Sequence, residues 1–113
     1  MTVVLALWLA IASSTVADSL SDQATADQPS IATAESLFTE NCAACHANGG
    51  NIIRRGKNLK QRAMRRNGYG EVSAITMIVT QGKGIMPSYA DRLSSEEISA
   101  IAQYVHEQSE AGW

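Results

Sequence analysis

Residues 42–46 have the sequence Cys-Ala-Ala-Cys-His and contain both cysteines and one of the two histidines of the chain. This C-x-x-C-H order is typical of the covalent attachment of a c-type haem. On a helical turn, residues i, i+3 and i+4 lie on one face. Cys42 and Cys45 can therefore add to the two vinyl groups of a haem while the imidazole of His46 binds the iron. The stretch predicts a fold built around one covalent haem.

Two other uses of these residues are less consistent with the rest of the sequence. A redox-active disulfide between Cys42 and Cys45 would call for alternating strands and helices, which the sequence pattern lacks. A zinc site needs four ligands. Such sites often use a second closely spaced pair of Cys or His, but the two histidines, His46 and His106, lie far apart and no second Cys or His stands near His106.

The composition is that of one small globular domain that follows an export signal. The chain has 113 residues, 45% of them hydrophobic, and a net charge of -2, which gives no case for nucleic-acid binding. The apolar run at 3–12 is too short for a confident membrane span, and a small-x-small pattern follows it at 15–17. We predict a signal peptide at 1–17, although no Lys or Arg precedes the run; an uncleaved membrane anchor is the alternative. Residues 18–30 are predicted to be a flexible leader, and 31–113 the folded domain.

Helical periodicity predicts an all-α domain with four helices. Thr33 is expected to cap the first helix, in which Leu37, Phe38 and Ala44 would share the inner face, and Phe38 would pack against the last helix. A capping box, Ser94 to Glu97, marks the start of the last helix. The predicted helices cover 32–45, 58–67, 71–81 and 94–109, with a loop at 47–57 in which Ile52 or Ile53 is expected to pack on the haem.

The sixth position of the iron has four candidate ligands, of which Met86 is favoured. Gly84 and Pro87 make its loop rigid, because proline fixes its own φ and disfavours helix at the preceding residue. A thioether is a soft ligand that raises the potential of a haem. Two protein ligands leave no open position, which favours electron transfer; a small haem peroxidase or oxygen-handling protein is the alternative. The other candidates are interpreted as core or helix filler (Met64, Met77) and as a surface histidine (His106).

The four cations of the second helix have two possible roles. Lys60, Arg62, Arg65 and Arg66 are most simply a solvated helix face. The alternative is a docking surface for an acidic partner.

The sequence resembles the class I c-type cytochromes, and more narrowly the cytochrome c6 family, over residues 34–113. The resemblance rests on Phe38 four residues before the first cysteine and on the following segments: CAACHANGGN (42–51), LK (59–60), VTQGKGIMPSY (79–89), RLSSEEI (92–98), AQYV (102–105) and GW (112–113).

The resemblance implies a four-helix class I cytochrome c domain at 31–113, with thioether links at Cys42 and Cys45 and iron ligation by His46 and Met86. It also implies that Asn51 and Ile78 contact the haem and that the helices of Phe38 and Tyr104 cross. The implied role is a soluble, monomeric electron carrier of the thylakoid lumen or periplasm. It would carry electrons from cytochrome b6f to photosystem I or a respiratory oxidase, without stable membrane insertion after cleavage. Arg92 matches an arginine associated with partner docking.

Two positions depart from the family pattern. Ala34 stands where the family usually has glycine at the helix crossing, and one extra methyl there calls for a small shift. Ile78 stands where photosynthetic members usually have a glutamine beside the haem. An aliphatic residue there resembles a lower-potential subgroup of cytochrome c6-like proteins, which weakens the case for donation to photosystem I.

Overall fold

The computed structural model describes residues 29–113. In this range five α-helices occur and no strand; an isolated bridge joins Lys83 and Met86. The predicted signal peptide and most of the predicted leader lie outside the described residues. No helix in this range is both long and apolar enough for a membrane span. The helices are α1 (Ile31–Asn41), α2 (Ala43–His46), α3 (Gln61–Arg66), α4 (Val72–Gln81) and α5 (Ser95–Ala111), with 3-10 turns at Ala47–Gly49 and Arg55–Lys57.

Helix α1 differs from the predicted first helix at both ends. Its cap is Ser30, whose hydroxyl accepts a hydrogen bond from the backbone N–H of Thr33 at 3.2 Å, so Thr33 is already inside the helix. The helix stops at Asn41, and Cys42 leaves the helical conformation with φ -122°. The haem motif therefore lies on the separate short helix α2. Because of this break Ala44 is exposed and does not share the inner face of α1.

Helix α5 packs against α1 and closes the core. Its capping box is present as predicted: the Ser94 hydroxyl accepts from the Glu97 N–H at 3.1 Å, and the Glu97 carboxylate accepts from the Ser94 N–H at 2.8 Å. The helix continues to Ala111, past the predicted end, and Gly112 stops it in the left-handed conformation at φ 102°. Phe38 packs on Tyr104 with ring centroids 5.5 Å apart, which confirms the predicted contact between the first and last helices.

The remaining helices support the same core. Helix α3 begins three residues later than predicted, because the Asn58 side chain accepts from the Lys60 N–H at 3.0 Å and forms a turn. Met64 is buried in the core, as predicted. For Met77 the interpretation is core or helix filler; its side chain is 59% exposed on α4, which excludes the core and leaves an exposed helical position.

Candidate haem site

A single cleft of about 620 Å³ brings together the six residues that the sequence analysis selected. Cleft volumes of about 300–1,000 Å³ are typical of cofactor sites. Between these residues the walls are mainly apolar, and they come from four helices and from the loops at 51–59 and 82–89. The selected residues in the cleft are Cys42, Cys45, His46, Asn51, Ile78 and Met86; the apolar walls include Phe38, Leu59, Met64, Ile75, Val79, Ile101 and Val105.

His46 has a defined ring orientation. Its Nδ1 lies 2.8 Å from the carbonyl oxygen of Gly50. Since a carbonyl only accepts, Nδ1 carries the proton and donates, which leaves Nε2 as the nitrogen that can bind a metal. A hydrogen bond of this kind fixes the tautomer and orientation of a histidine that binds a metal.

Cys42 comes directly before helix α2 and Cys45 lies within it, and the two form no disulfide. Cys42 is partly buried and Cys45 is exposed. Burial raises the pKa of the Cys42 thiol to about 11, and the neighbouring Cys45 adds to this rise.

Met86 lies on a loop that is held by hydrogen bonds within the loop and to helix α4. Lys83 and Met86 exchange two backbone hydrogen bonds, of 2.9 and 3.1 Å. Gly82 has φ 71°, and a Cβ there would come within 2.7 Å of the Met86 carbonyl oxygen, so only glycine fits this close approach of two backbone segments. The Ser88 hydroxyl donates to the Thr80 carbonyl at 2.6 Å. The position of the methionine backbone is thus determined by its neighbours.

Asn51 lines the cleft, but its side chain is already engaged within the loop. Its Oδ1 accepts from the N–H groups of Ile53 and Arg54 at 3.0 and 2.8 Å, and its Nδ2 donates to the Lys57 carbonyl at 3.1 Å. These bonds shape the loop that forms one wall of the cleft. Asn51 therefore acts on the cleft through the loop, and its own polar groups have partners in this chain.

The two isoleucines of the loop differ in position. Ile53 lines the cleft although it is 52% exposed, whereas Ile52 is 68% exposed and lines a neighbouring open groove. Ile78 is partly buried and lines the cleft on the side of α4.

Of the three other candidate iron ligands, one lines the cleft and two do not. Met64 also lines the cleft, as a core residue that is only 4% exposed. Met77 and His106 do not line it. The His106 side chain is 23% exposed, so it is less exposed than the predicted surface histidine, and its Nε2 lies 3.9 Å from a carboxylate oxygen of Glu110.

Tyr89 was not selected from the sequence, although it lines the cleft and connects two of its sides. Its hydroxyl donates to the Asn41 carbonyl at 2.8 Å, at the end of α1 next to Cys42. Arg92 lies over its ring at 5.4 Å from the centroid. Burial, then the nearby Cys42, raises the pKa of Tyr89. No local pattern indicates these contacts, because the hydrogen-bond partners are 48 residues apart in the sequence.

The side chains present fit a covalently bound haem. Two thiols three residues apart, an imidazole with one nitrogen free, and a thioether all line one apolar cleft. Thiol, imidazole and thioether are the protein groups that hold c-type haem and its iron.

Comparisons with known proteins agree with this chemistry. A family model described as "Cytochrome C oxidase, cbb3-type, subunit III" matches residues 29–105. A cytochrome c6-like protein of Nostoc sp. strain PCC 7120 is 52% identical over 79 residues, which cover 70% of this chain and 71% of the relative. The cytochrome c6 of Bumilleriopsis filiformis is 53% identical over 79 residues, which cover 70% of this chain and 92% of the relative. The chain belongs to the cytochrome c6 family.

The structural comparison supports the same assignment for this cytochrome. The crystal structure of cytochrome c6C from Synechococcus sp. PCC 7002 superposes with a TM-score of 0.69 and 60% sequence identity, over 71% of this chain and 98% of that one. Like its relatives, this member of the family carries one covalently bound haem c, for which Cys42 and Cys45 supply the attachment motif. It is a single-haem electron carrier, and the peroxidase alternative is not favoured.

Proposed function

We propose that this cytochrome carries single electrons with its iron held between His46 and Met86. The observation that carries the proposal is the convergence of both side chains, with Cys42 and Cys45, on one apolar cleft. The His46–Gly50 hydrogen bond leaves Nε2 free for the metal. The tied loop at 82–89 supports a thioether ligand whose position would change little between the two oxidation states. Small structural change favours rapid electron transfer, and haem supplies the redox centre when it is bound.

We also propose that this cytochrome acts as a carrier without an enzymatic reaction. Two side-chain ligands would leave no iron position for oxygen or peroxide. The apolar walls, which include Ile75, Ile78 and Val79, would limit the access of water to a bound cofactor.

The proposed partners are the membrane redox complexes of the family. Cytochrome b6f would be the electron donor, and photosystem I or a respiratory oxidase the acceptor. The proposed site of action is the thylakoid lumen or periplasm, and the proposed state is a monomer. The presence of Ile78 in the cleft supports membership of the lower-potential subgroup, for which the photosystem I role is less favoured.

Substitution of the methionines of the holoprotein tests the ligand assignment. Met86→Ala should abolish the ferric absorption band in the red that reports iron–sulfur ligation, open the iron to added imidazole and lower the reduction potential. Met64→Ala is the necessary comparison, because Met64 also lines the cleft; Met77→Ala is the matched surface control. An unchanged spectrum in Met86→Ala, with loss of the band in Met64→Ala, would overturn the assignment.

A further inference from the structure

The orientation of the His46 ring depends on the turn that follows it in the chain. His46 Nδ1 donates to the Gly50 carbonyl at 2.8 Å, and the residues between them form the 3-10 turn Ala47–Gly49. Two consecutive residues of this turn are left-handed, Asn48 with φ 52° and Gly49 with φ 71°. The direction of the carbonyl that accepts from His46 therefore depends on how the turn is held in place.

Trp113 holds this turn from the side opposite to solvent. Its indole lies against the backbone of Gly49 so closely that no side chain would fit there, and Gly49 is buried although Asn48 beside it is exposed. The indole N–H donates to the Leu59 carbonyl at 2.9 Å, and the Leu59 N–H donates to the Gly49 carbonyl at 2.8 Å. Indole, Leu59 and Gly49 thus form a closed ring of contacts, which fixes the peptide group directly before Gly50.

The indole is itself held by two helices. The Trp113 N–H donates to the Gln108 carbonyl at 3.1 Å, near the end of α5. The indole ring packs 5.4 Å from the ring of Phe38 on α1 and 6.2 Å from the ring of Tyr104 on α5. Trp113 does not belong to the described residues that line the haem cleft. Any effect of Trp113 on the iron therefore has to pass through the turn or through the loop that carries Leu59.

We propose that Trp113 is a positioning residue that keeps the reduction potential of the haem low by holding the Gly50 carbonyl on His46, an inference that rests on the proposed ligation of the iron by His46. A hydrogen bond from the second ring nitrogen makes an imidazole ligand richer in electrons. Such a ligand stabilises ferric iron more than ferrous iron, and hydrogen bonding of this kind is one of the means by which a protein sets the potential of a haem. The Trp113 contact keeps the accepting carbonyl in place, so its loss should lengthen the bond and raise the potential.

The sign of the change separates this role from simple packing. If removal of the indole only loosened the domain and admitted water to the haem, the water would stabilise the charge of ferric iron and lower the potential. A weaker hydrogen bond to His46 has the opposite effect. The two explanations therefore predict shifts in opposite directions.

Redox titration of three holoprotein variants measures this shift. Trp113→Leu removes both the ring over Gly49 and the indole donor, whereas Trp113→Phe keeps a ring and removes the donor. Ser94→Ala is the control for lost stability alone, because it removes the hydroxyl that caps α5 at the end of the helix remote from Trp113.

The equilibrium constant for reduction of Trp113→Leu should be at least about threefold larger than that of wild type. In this titration one electron passes between the iron and a reference couple, with no bond made or broken. A threefold change corresponds to about 30 mV at 59 mV per factor of ten. Trp113→Phe should lie between Trp113→Leu and wild type, and Ser94→Ala should match wild type. An unchanged or lower potential in Trp113→Leu, or an equal rise in Ser94→Ala, would overturn the proposal.

The exchange of the His46 ring proton with solvent tests the route directly. In the reduced, isotope-labelled holoprotein the Nδ1–H proton should exchange at least about tenfold faster in Trp113→Leu than in wild type. Ser94→Ala should leave the exchange rate unchanged. A raised potential without faster exchange would show that Trp113 acts by another route and would overturn the positioning of His46.

The wild-type protein separates this inference from the proposed function. If wild type shows no reversible one-electron titration, the carrier function fails. If the His46 ring protons of the reduced protein lack the ring-current shift expected of a haem ligand, the ligation by His46 fails and the proposal with it. Reversible titration and a shifted His46 ring, combined with wild-type potentials in both Trp113 variants, overturn the positioning role alone.

Discussion

The indole of Trp113 lies directly on the backbone of Gly49. A Cβ on Gly49 would come within 2.6 Å of Trp113 Cδ2, and Gly49 has φ 71°. The indole Nε1–H also donates to the Leu59 carbonyl at 2.9 Å, and the ring packs at 5.4 Å from that of Phe38. The 3-10 turn that follows the haem motif, the loop wall of the cleft and Trp113 are thus joined at one point.

Substitution of Gly49 by alanine should destabilise the protein strongly. The new methyl group meets the indole, and a left-handed φ is unfavourable for alanine, so we expect a loss of about 2–4 kcal/mol in the free energy of unfolding. Denaturant unfolding of the holoprotein measures this loss. Gly56→Ala is the matched control, because nothing lies within 4 Å of its Cβ position and its φ is not positive. Equal losses in the two variants would contradict the tight contact with Trp113.

Substitution of Trp113 by phenylalanine should have a smaller effect. The ring contact with Phe38 is largely kept, but the half-buried Leu59 carbonyl loses its donor. We expect a loss of about 1–2 kcal/mol. Faster hydrogen exchange of the Leu59 amide, which donates to the Gly49 carbonyl at 2.8 Å, should accompany it. An unchanged exchange rate would show that the loop wall holds without the indole.

The Tyr89 hydroxyl should stabilise the side of the cleft that carries Met86. Tyr89→Phe removes the hydrogen bond to the Asn41 carbonyl and keeps the ring. We expect about 1–2 kcal/mol of destabilisation and easier displacement of the sixth ligand by added imidazole. Tyr69→Phe is a useful comparison, because the Tyr69 hydroxyl makes only a 3.4 Å contact with the Lys83 ammonium. Identical imidazole affinities in the two variants would contradict a link between α1 and the Met86 loop.

Replacement of Ile78 by glutamine should raise the reduction potential. Ile78 lines the cleft, where an amide dipole can act on the iron environment without replacing a ligand. Isoleucine removes water from the haem, which by itself would disfavour ferric iron and raise the potential. The family resemblance implies a lower potential instead, so we take the loss of the amide dipole to be the larger effect. We expect a rise of about 60 mV, which is about 1.4 kcal/mol for one electron. Ile78→Leu keeps the side chain apolar and should leave the potential nearly unchanged. A redox titration in which the glutamine variant does not rise would identify Ile78 as ordinary packing and restore photosystem I as the expected acceptor.

The mature protein should begin near Asp18. This expectation comes from the apolar run at 3–12 and the small residues at 15–17, all outside the described residues. Mass spectrometry of the haem-bearing protein from its native host measures the N-terminus. A haem-bearing form that still starts at Met1 would exclude cleavage.

The sequence by itself determined the features that depend on neighbouring residues. The C-x-x-C-H spacing indicated a covalent haem. Pro87 after Met86 indicated a rigid loop that carries the methionine, and Ser94 with Glu97 indicated the start of α5. These are local effects: each depends on a few consecutive residues, and the structure has the capping box and the cleft that they predict.

Tertiary structure alone decided where the helix breaks and which side chains meet. Helical periodicity continues through Cys42, yet the chain turns there, and Ala44 points outward. Met77 is apolar, as core residues usually are, yet its side chain is exposed. The reason is that Ile75 and Val79 occupy the inner face of α4. Trp113 reaches Gly49, and Tyr89 reaches Asn41, across long stretches of sequence. Such contacts depend on how whole helices pack, and no short pattern of residues encodes that packing.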